Sequence, residues 1–244
     1  MFKNMNKLVK TASIGLVASA IIGSNAIAAN WSSTKVEGLY GYDYKRGPGF
    51  SEVNEGILTL ANASGFDWGD TFVFIDTTNV DDVDGTGGAH MEFSGRYNFH
   101  KGTKDGAIKG FFGIVQADIT SNRFTQKITK MAGLSVDWNM PGMRFFKTHL
   151  QYRDDPTLDG TSVQFNLVWN KGFKVGEQDF SFEGFLDYTT SEGTTVSNTL
   201  AQPQLLWHAN KSLAIGIEYQ YWKNRLGVDG INESSPQVMV RWTF

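Results

Sequence analysis

The final nine residues, Pro236–Phe244, alternate strictly between two kinds of side chain. Val238, Val240, Trp242 and Phe244 fall on one face, and the other face carries Gln237, Met239, Arg241 and Thr243. A period of two predicts a β-strand. We expect a strand with an aromatic face and no polar tail to close a barrel in a bilayer, where lipid solvates the aromatic rings. An ordinary strand of a soluble sandwich is the alternative.

The N-terminal residues have the pattern of an export signal. Lys3, Lys7 and Lys10 precede an apolar stretch over residues 12–22, and the small triplet Ala26-Ile27-Ala28 follows. This pattern predicts a signal peptide, residues 1–28, cleaved after Ala28. The alternative is a membrane anchor, but the apolar core is shorter than the roughly twenty residues that a spanning helix needs. Residues 29–244 are then one exported domain.

Composition narrows the function classes. The chain has no cysteine, so we expect an exported domain stabilised without disulfides, for example by a sheet closed on itself. The chain has 22 basic and 25 acidic residues; without the three lysines of the signal peptide, 19 basic residues remain and the net charge is about −6. This balance disfavours nucleic acid as a partner. Frequent aromatics and glycines without a long apolar run are typical of short strands rather than of spanning helices.

Segments of alternating polarity recur along the chain, and we count twelve of them. Each is close to the nine to eleven residues that a tilted strand needs to cross a bilayer. An even number fits a single-chain outer-membrane barrel. The predicted strands are Val36–Lys45, Glu55–Ala63, Asp70–Val80, His90–Phe99, Lys109–Thr120, Lys130–Asn139, Met143–Arg153, Ser162–Asn170, Phe180–Thr190, Thr199–His208, Leu213–Lys223 and Pro236–Phe244.

The links between the predicted strands differ in length. Residues 140–142 and 209–212 are tight turns, expected on the periplasmic side together with both chain ends. Four longer links rich in Gly, Asp and Asn are expected to face outward: Arg46–Asn54, Asp81–Ala89, Asp154–Thr161 and Asn224–Ser235.

The two faces of the strands differ in chemistry. In Leu213–Lys223, Ile215 and Ile217 lie on one face and Glu218 and Gln220 on the other. A charge in hydrocarbon costs a few kcal/mol at the midplane, so the charged face must meet water. We therefore predict an all-β fold, a transmembrane antiparallel up-and-down β-barrel of about twelve strands with an apolar outside and a polar lumen.

Three stretches resemble a known family. Thr59–Asp76, in which a strand leads through an aromatic-Asp turn into an aromatic-rich strand, is similar to strands of the Tsx/OmpK family of nucleoside-specific channel-forming outer-membrane proteins. Met91–Phe99 resembles the next strand of that family, and Arg241–Phe244 fits its ending. The number of strands agrees with that family over most of the chain, but the specific motifs that resemble it cover only about forty residues.

The resemblance implies a monomeric twelve-stranded barrel whose narrow lumen lets nucleosides diffuse across the outer membrane of a Gram-negative bacterium. Some members of that family also serve as phage receptors through their outer loops, although the outer links of this chain are rather short. The expected partners are outer-membrane lipid, nucleosides or related small solutes, and the barrel-assembly machinery, which would recognise the strand ending at Phe244.

Aromatic rings beside acids are the candidate ligand-binding groups of the lumen. Stacking of an aromatic ring on a base contributes on the order of 1–3 kcal/mol, and carboxylates can accept hydrogen bonds from ribose. Phe72 and Phe74 share a face with Asp70 and Asp76; they line the lumen if that face points inward and meet lipid if it does not. The other candidates are Glu92, Arg96, Phe112, Asp118, Glu183, Phe185 and Trp222, each of which has a structural ion pair or packing contact as its alternative role.

Catalysis and metal binding find little support in the sequence. The four histidines are not clustered, and none forms a recognisable trio with a serine and an orienting acid. Residues 81–85 resemble a fragment of a calcium loop without its closing glutamate. We therefore expect a protein that is not an enzyme and has no cofactor. Three alternatives to a nucleoside channel stay open: an acidic-oligosaccharide porin, a lipid-hydrolysing barrel, and a surface or phage receptor without selective transport.

Overall fold

The computed structural model describes residues 29–79, 87–103 and 105–244. The predicted signal peptide and the calcium-loop fragment at residues 81–85 lie outside the described residues. No helix in the described part of the chain is long and apolar enough to cross a membrane. The strands are β1 Trp31–Arg46, β2 Ser51–Phe66, β3 Gly69–Thr78, β4 Gly88–Lys101, β5 Ile108–Asn122, β6 Gln126–Trp138, β7 Phe145–Asp154, β8 Ser162–Val175, β9 Gln178–Thr189, β10 Asn198–His208, β11 Leu213–Lys223 and β12 Glu233–Thr243.

The twelve strands form one closed barrel. Each strand pairs antiparallel with its neighbours in sequence, and β1 closes the barrel against β12 with Glu37 opposite Arg241 and Leu39 opposite Met239. Closure leaves no unpaired sheet edge, which is the requirement for strands in lipid. The predicted fold is therefore confirmed, and every predicted strand overlaps an observed one.

The links separate into two ends of the barrel. The end that carries the links 67–68, 102–107, 139–144, 176–177 and 209–212 is called the turn end, and the opposite end, with the links after the odd-numbered strands, is called the loop end. The prediction of a long link over Arg46–Asn54 is wrong. β1 and β2 continue to pair as far as Arg46 and Ser51, so only residues 47–50 connect them.

The outer surface of the barrel is apolar and the inner surface is largely polar, as the alternation predicted. Leu134 on β6 is 61% exposed, and aromatic rings such as Tyr219 and Trp242 are exposed on the same outer surface. Glu37 and Gln151, which the register places on the inner surface, are buried. An apolar exterior around a polar interior is the arrangement of a barrel that spans a bilayer.

One wall of the interior is apolar rather than polar. Leu39, Ile57, Leu206 and Met239 project inward from β1, β2, β10 and β12 and pack into a buried cluster together with Tyr44 and Ala214. The predicted polar, aromatic- and acid-lined lumen did not include this aliphatic wall. Apolar side chains therefore pack against one another on this side of the barrel interior.

Candidate functional site

The cross-strand register resolves which way the predicted lumen residues face. Phe74 lies between Ala61 of β2 and Glu92 of β4, and Glu92 in turn lies opposite Asp118 of β5. The same face of β3 carries Asp76, whose carboxylate accepts a 2.5 Å hydrogen bond from the hydroxyl of Thr59. All eleven predicted lumen residues share the inward face of their strands, including Phe72 and Phe74, for which the sequence left both faces open.

Towards the turn end, four cations of the inner wall form ion pairs with carboxylates and are here called the cationic tier: Lys35, Arg96, Lys147 and Arg241. Arg96 is 3% exposed. Its guanidinium donates to Asp70 at 2.8 Å, to Asp137 at 2.5 Å and to Ser135 at 2.8 Å, and it lies 4.2 Å from the centroid of the Phe112 ring. Every face of this cation is therefore occupied by the wall of the barrel itself.

Arg241 is held in the same way, although it bridges strands that are further apart. Its guanidinium donates to Glu37 of β1 at 2.6 Å, to Gln204 of β10 at 2.6 Å and to Glu183 of β9. Glu183 also pairs with Lys35 at 3.4 Å. Among the predicted ligand groups, Asp70, Arg96, Phe112 and Glu183 thus take the structural role that the sequence left as their alternative.

The inner wall has a second layer, which lies nearer the loop end than the cationic tier, by one or two inward-facing positions on most strands. We call it the carboxylate–amide belt; its members are Asp76, Glu92, Asp118, Asp187, Glu218, Gln116, Gln151, Asn166, Gln202 and Gln237. In this belt, neutral amides rather than cations hold the carboxylates. Gln116 donates to Glu92 at 3.1 Å and to Asp118 at 2.9 Å, and Asn166 donates to Asp187. Gln237 donates to Glu218 at 2.8 Å.

No described lysine or arginine forms an ion pair with a carboxylate of the belt. His90 is the nearest basic group, with Nε2 3.2 Å from Glu92 and Nδ1 3.2 Å from the hydroxyl of Thr120. The carboxylate of Glu92 also lies within electrostatic range of those of Asp76 and of Asp187, which stands on the facing wall. The belt therefore brings several carboxylates onto the inner wall that have no lysine or arginine partner among the described residues.

The loop end is braced by two clusters of ion pairs. In one, Asp155 accepts from Lys127 at 2.5 Å and from Arg153 at 3.1 Å, and Arg153 also donates to Glu192 at 2.6 Å. Asp155 lies in the link between β7 and β8. Burial by itself would raise the pKa of Asp155, but the Lys127 ammonium and hydrogen bonds from Thr157 hold that pKa below its usual range. The cluster ties two links and two strands together.

The other cluster fastens the link between β11 and β12. Arg225 donates to Glu233 at 3.1 Å and its guanidinium lies 4.4 Å from the centroid of the Trp222 ring. Burial, together with the nearby Arg46, lowers the pKa of Arg225 to about 10, so the guanidinium stays charged at neutral pH. Trp222, a predicted ligand-stacking residue, is here the platform for this arginine.

Two predicted aromatic residues remain available to a solute on β3. Phe72 is 41% exposed on the inward face, and its ring lies 6.0 Å from that of Phe74, centroid to centroid. Phe74 also contacts His90, with ring centroids 5.9 Å apart. Phe185 is partly exposed opposite Gln202 and Val168. These rings adjoin the belt, so a solute can meet an aromatic face and a carboxylate together.

The two other inward histidines are engaged in the wall. His149 is hydrogen-bonded to Ser135 at 2.8 Å and His208 to Ser181 at 2.8 Å. Across the described residues, no group of three or more His, Cys, Asp or Glu side chains is arranged to hold a metal ion. The arrangement offers polar contacts and charge to a passing solute rather than a point of convergence for a single ion.

The amides of the belt were not among the ligand-binding residues predicted from the sequence. The predicted ligand groups were aromatic or charged, whereas most of the belt's hydrogen bonds come from the amides of Gln116, Gln151, Asn166, Gln202 and Gln237. For two of these amides the sequence contained a signal, because strand alternation places Gln116 on the same face as Asp118 and Gln151 on the same face as Arg153.

Comparisons with known proteins gave the following matches. No family model matches the chain, and no curated protein matches it. Among solved structures, the NanC porin is 12% identical, with 86% of this chain and 98% of that one covered at a TM-score of 0.49. The KdgM porin is 13% identical, with coverages of 86% and 99% and a TM-score of 0.48. The translocator domain of the autotransporter NalP from Neisseria meningitidis is 8% identical, with coverages of 99% and 98% and a TM-score of 0.44.

Proposed function

We propose that this chain is an outer-membrane channel through which small hydrophilic solutes diffuse. The observation that carries the proposal is the belt: carboxylates and amides, seven of the ten partly exposed, line the interior of a closed barrel whose outside is apolar. Burying unpaired carboxylates inside a barrel with no aqueous function would cost free energy without a gain. Water in the lumen removes that cost and gives solutes a polar path. Lipid is the partner of the outer surface.

Nucleosides are the solute class supported by the aromatic rings of β3. A nucleoside combines a flat base with ribose hydroxyls, and Phe72 presents an exposed ring on the same strand face as the carboxylate of Asp76. Several weak contacts along the wall serve a channel better than one tight site, because the solute must also leave.

Acidic oligosaccharides are the second candidate class, supported by the cationic tier. Lys35 and Lys147 keep 33% and 24% of their side-chain surface exposed, so their ammonium groups can reach a sugar carboxylate. A row of cations on an inner wall is the expected recognition element for an anionic chain.

Reconstitution into liposomes tests the function and separates the two classes. Purified protein is incorporated, and uptake of a labelled nucleoside, a neutral disaccharide and an oligogalacturonate is followed against protein-free liposomes. Faster uptake of any solute supports a channel. Preference for the nucleoside over the disaccharide supports the first class, and preference for oligogalacturonate supports the second. Liposomes that remain as impermeable as the protein-free control would refute the channel function itself.

A further inference from the structure

The geometry points to charge selection at the carboxylate–amide belt. We propose that the belt makes the lumen prefer cations, so that inorganic cations and organic solutes carrying an ammonium or guanidinium group pass ahead of anions. This proposal rests on the proposed channel function and states which charge of solute that channel prefers.

The two layers of the wall contain charges of both signs, but they differ in what they present to a solute. In the cationic tier the two guanidinium groups are covered: Arg96 is 3% exposed and Arg241 is 4% exposed, and each donates to two carboxylates. The ammonium groups of Lys35 and Lys147 are partly exposed, but each is paired with a carboxylate, that of Glu183 at 3.4 Å and that of Asp70 at 3.6 Å. In the belt the carboxylate of Glu92 keeps 24% of its side-chain surface exposed, and Asp118 and Asp187 are also partly exposed. Exposed, unpaired charges set the field in a water-filled pore, since paired charges largely cancel.

An independent observation is the excess of hydrogen-bond acceptors in the belt. Gln151 is 1% exposed and donates its amide to Gln116 at 3.2 Å, yet its own carbonyl oxygen has no hydrogen-bond partner among the described residues. Gln237, 2% exposed, donates to Glu218 and likewise leaves its carbonyl oxygen unpartnered within the described chain. Buried acceptors without donors are costly. The uncompensated dipoles of these two carbonyl oxygens add to the negative potential of the wall, and that potential favours a cation over an anion.

The arrangement suits a passing cation better than a bound one. The belt carboxylates are distributed around the barrel on β3, β4, β5, β9 and β11, and the described residues hold no cluster with the geometry of a metal site. A diffuse ring of charge raises the local concentration of counter-ions without trapping them, as conduction requires.

Reversal potentials in a planar bilayer test the proposal. The full-length mature protein is reconstituted with a KCl gradient, and the K⁺ to Cl⁻ permeability ratio is obtained from the reversal potential. We expect a ratio clearly above one for the native protein. Glu92→Gln, Asp118→Asn and Asp187→Asn remove one charge each while keeping the side-chain shape, and each is expected to lower the ratio about two-fold or more at low salt. The effect should shrink in 1 M KCl because salt screens the belt.

The matched control is Glu52→Gln. Glu52 lies near the loop end with 64% of its side chain exposed, and its pair with Lys45 is outside the belt, so the same loss of charge should leave the ratio unchanged. A native preference for Cl⁻, or a K⁺ preference that survives all three single belt substitutions, would overturn the proposal while leaving the channel function intact. A native protein that inserts but shows no conductance would instead overturn the channel function.

Discussion

Arg241 offers the sharpest test of how the barrel is held closed. It is 4% exposed, lies on β12 beside the closing strand β1, and donates to Glu37, Glu183 and Gln204 on three other strands. Replacing it with methionine keeps much of the side-chain volume and removes the charge. Glu183 keeps Lys35 at 3.4 Å, but Glu37 loses its only ion pair with a described residue. An uncompensated buried charge typically costs 3–5 kcal/mol, so we expect Arg241→Met to lower the free energy of unfolding by about 3 kcal/mol.

The assay is reversible urea unfolding from lipid vesicles, followed by tryptophan fluorescence, with the free energy obtained from the midpoint and slope. In the double variant Arg241→Met/Glu37→Gln the stranded charge is absent, and more than half of the loss should be recovered. Lys174→Met is the control: Lys174 and Asp179 form a pair at 3.1 Å in which both side chains are mostly exposed, and such pairs contribute about 1 kcal/mol or less. Equal losses for Arg241→Met and Lys174→Met, or no recovery in the double variant, would refute the reasoning.

Three further predictions address the outside, the lumen and the loop end. Leu134→Arg places a charge on the lipid-facing side of β6 and should cost about 2–4 kcal/mol in the same unfolding assay; no change would argue against a lipid-facing position. Phe72→Ala and Phe74→Ala should each slow nucleoside uptake about ten-fold if bases stack there, with disaccharide uptake unchanged as the control. Because the pKa of Asp155 is lowered in the folded protein, its contribution to stability is complete above about pH 4 and is lost as the pH falls further. Proteolysis of the β7–β8 link should therefore become faster when the pH falls below about 4. The Asp155→Asn variant should be cleaved faster than the native protein already at neutral pH, and acid should increase its cleavage rate less. A native protein whose link is cleaved at the same rate above and below about pH 4 would contradict this.

The strands and their faces were predictable because both depend on local alternation. Strand β11 was placed at Leu213–Lys223 without error, and Ile217 and Glu218 point to opposite sides as their parity requires. The extension of β1 and β2 beyond the predicted limits was not predictable, since residues 47–54 contain turn-forming glycines and a proline. Cross-strand pairing from Lys45 to Glu52 and from Arg46 to Ser51 overrides that local signal.

The candidate site was predictable only in part. Alternation was enough to place Glu92 and Glu183 on the inner face, whereas for Asp70 and Asp76 it left both faces of the strand open. It could not distinguish the inward carboxylates that are neutralised from those that are not. Asp70 and Glu183 meet arginines from other strands, whereas Asp76 and Glu92 meet amides or hydroxyls and no arginine or lysine within the described chain.

By itself, the sequence determined a closed antiparallel barrel with an apolar outside, since a period of two sorts every side chain onto one of two faces. Only the tertiary structure decided which inward charges cancel. Arg241 and Glu183 are brought together across β10 and β11 by strand register and tilt, which depend on all twelve pairings at once. The same register leaves the belt carboxylates beside neutral amides. The electrostatic character of the lumen is therefore a property of the assembled barrel. Each ion pair of Arg96 and of Arg241 joins residues of two different strands.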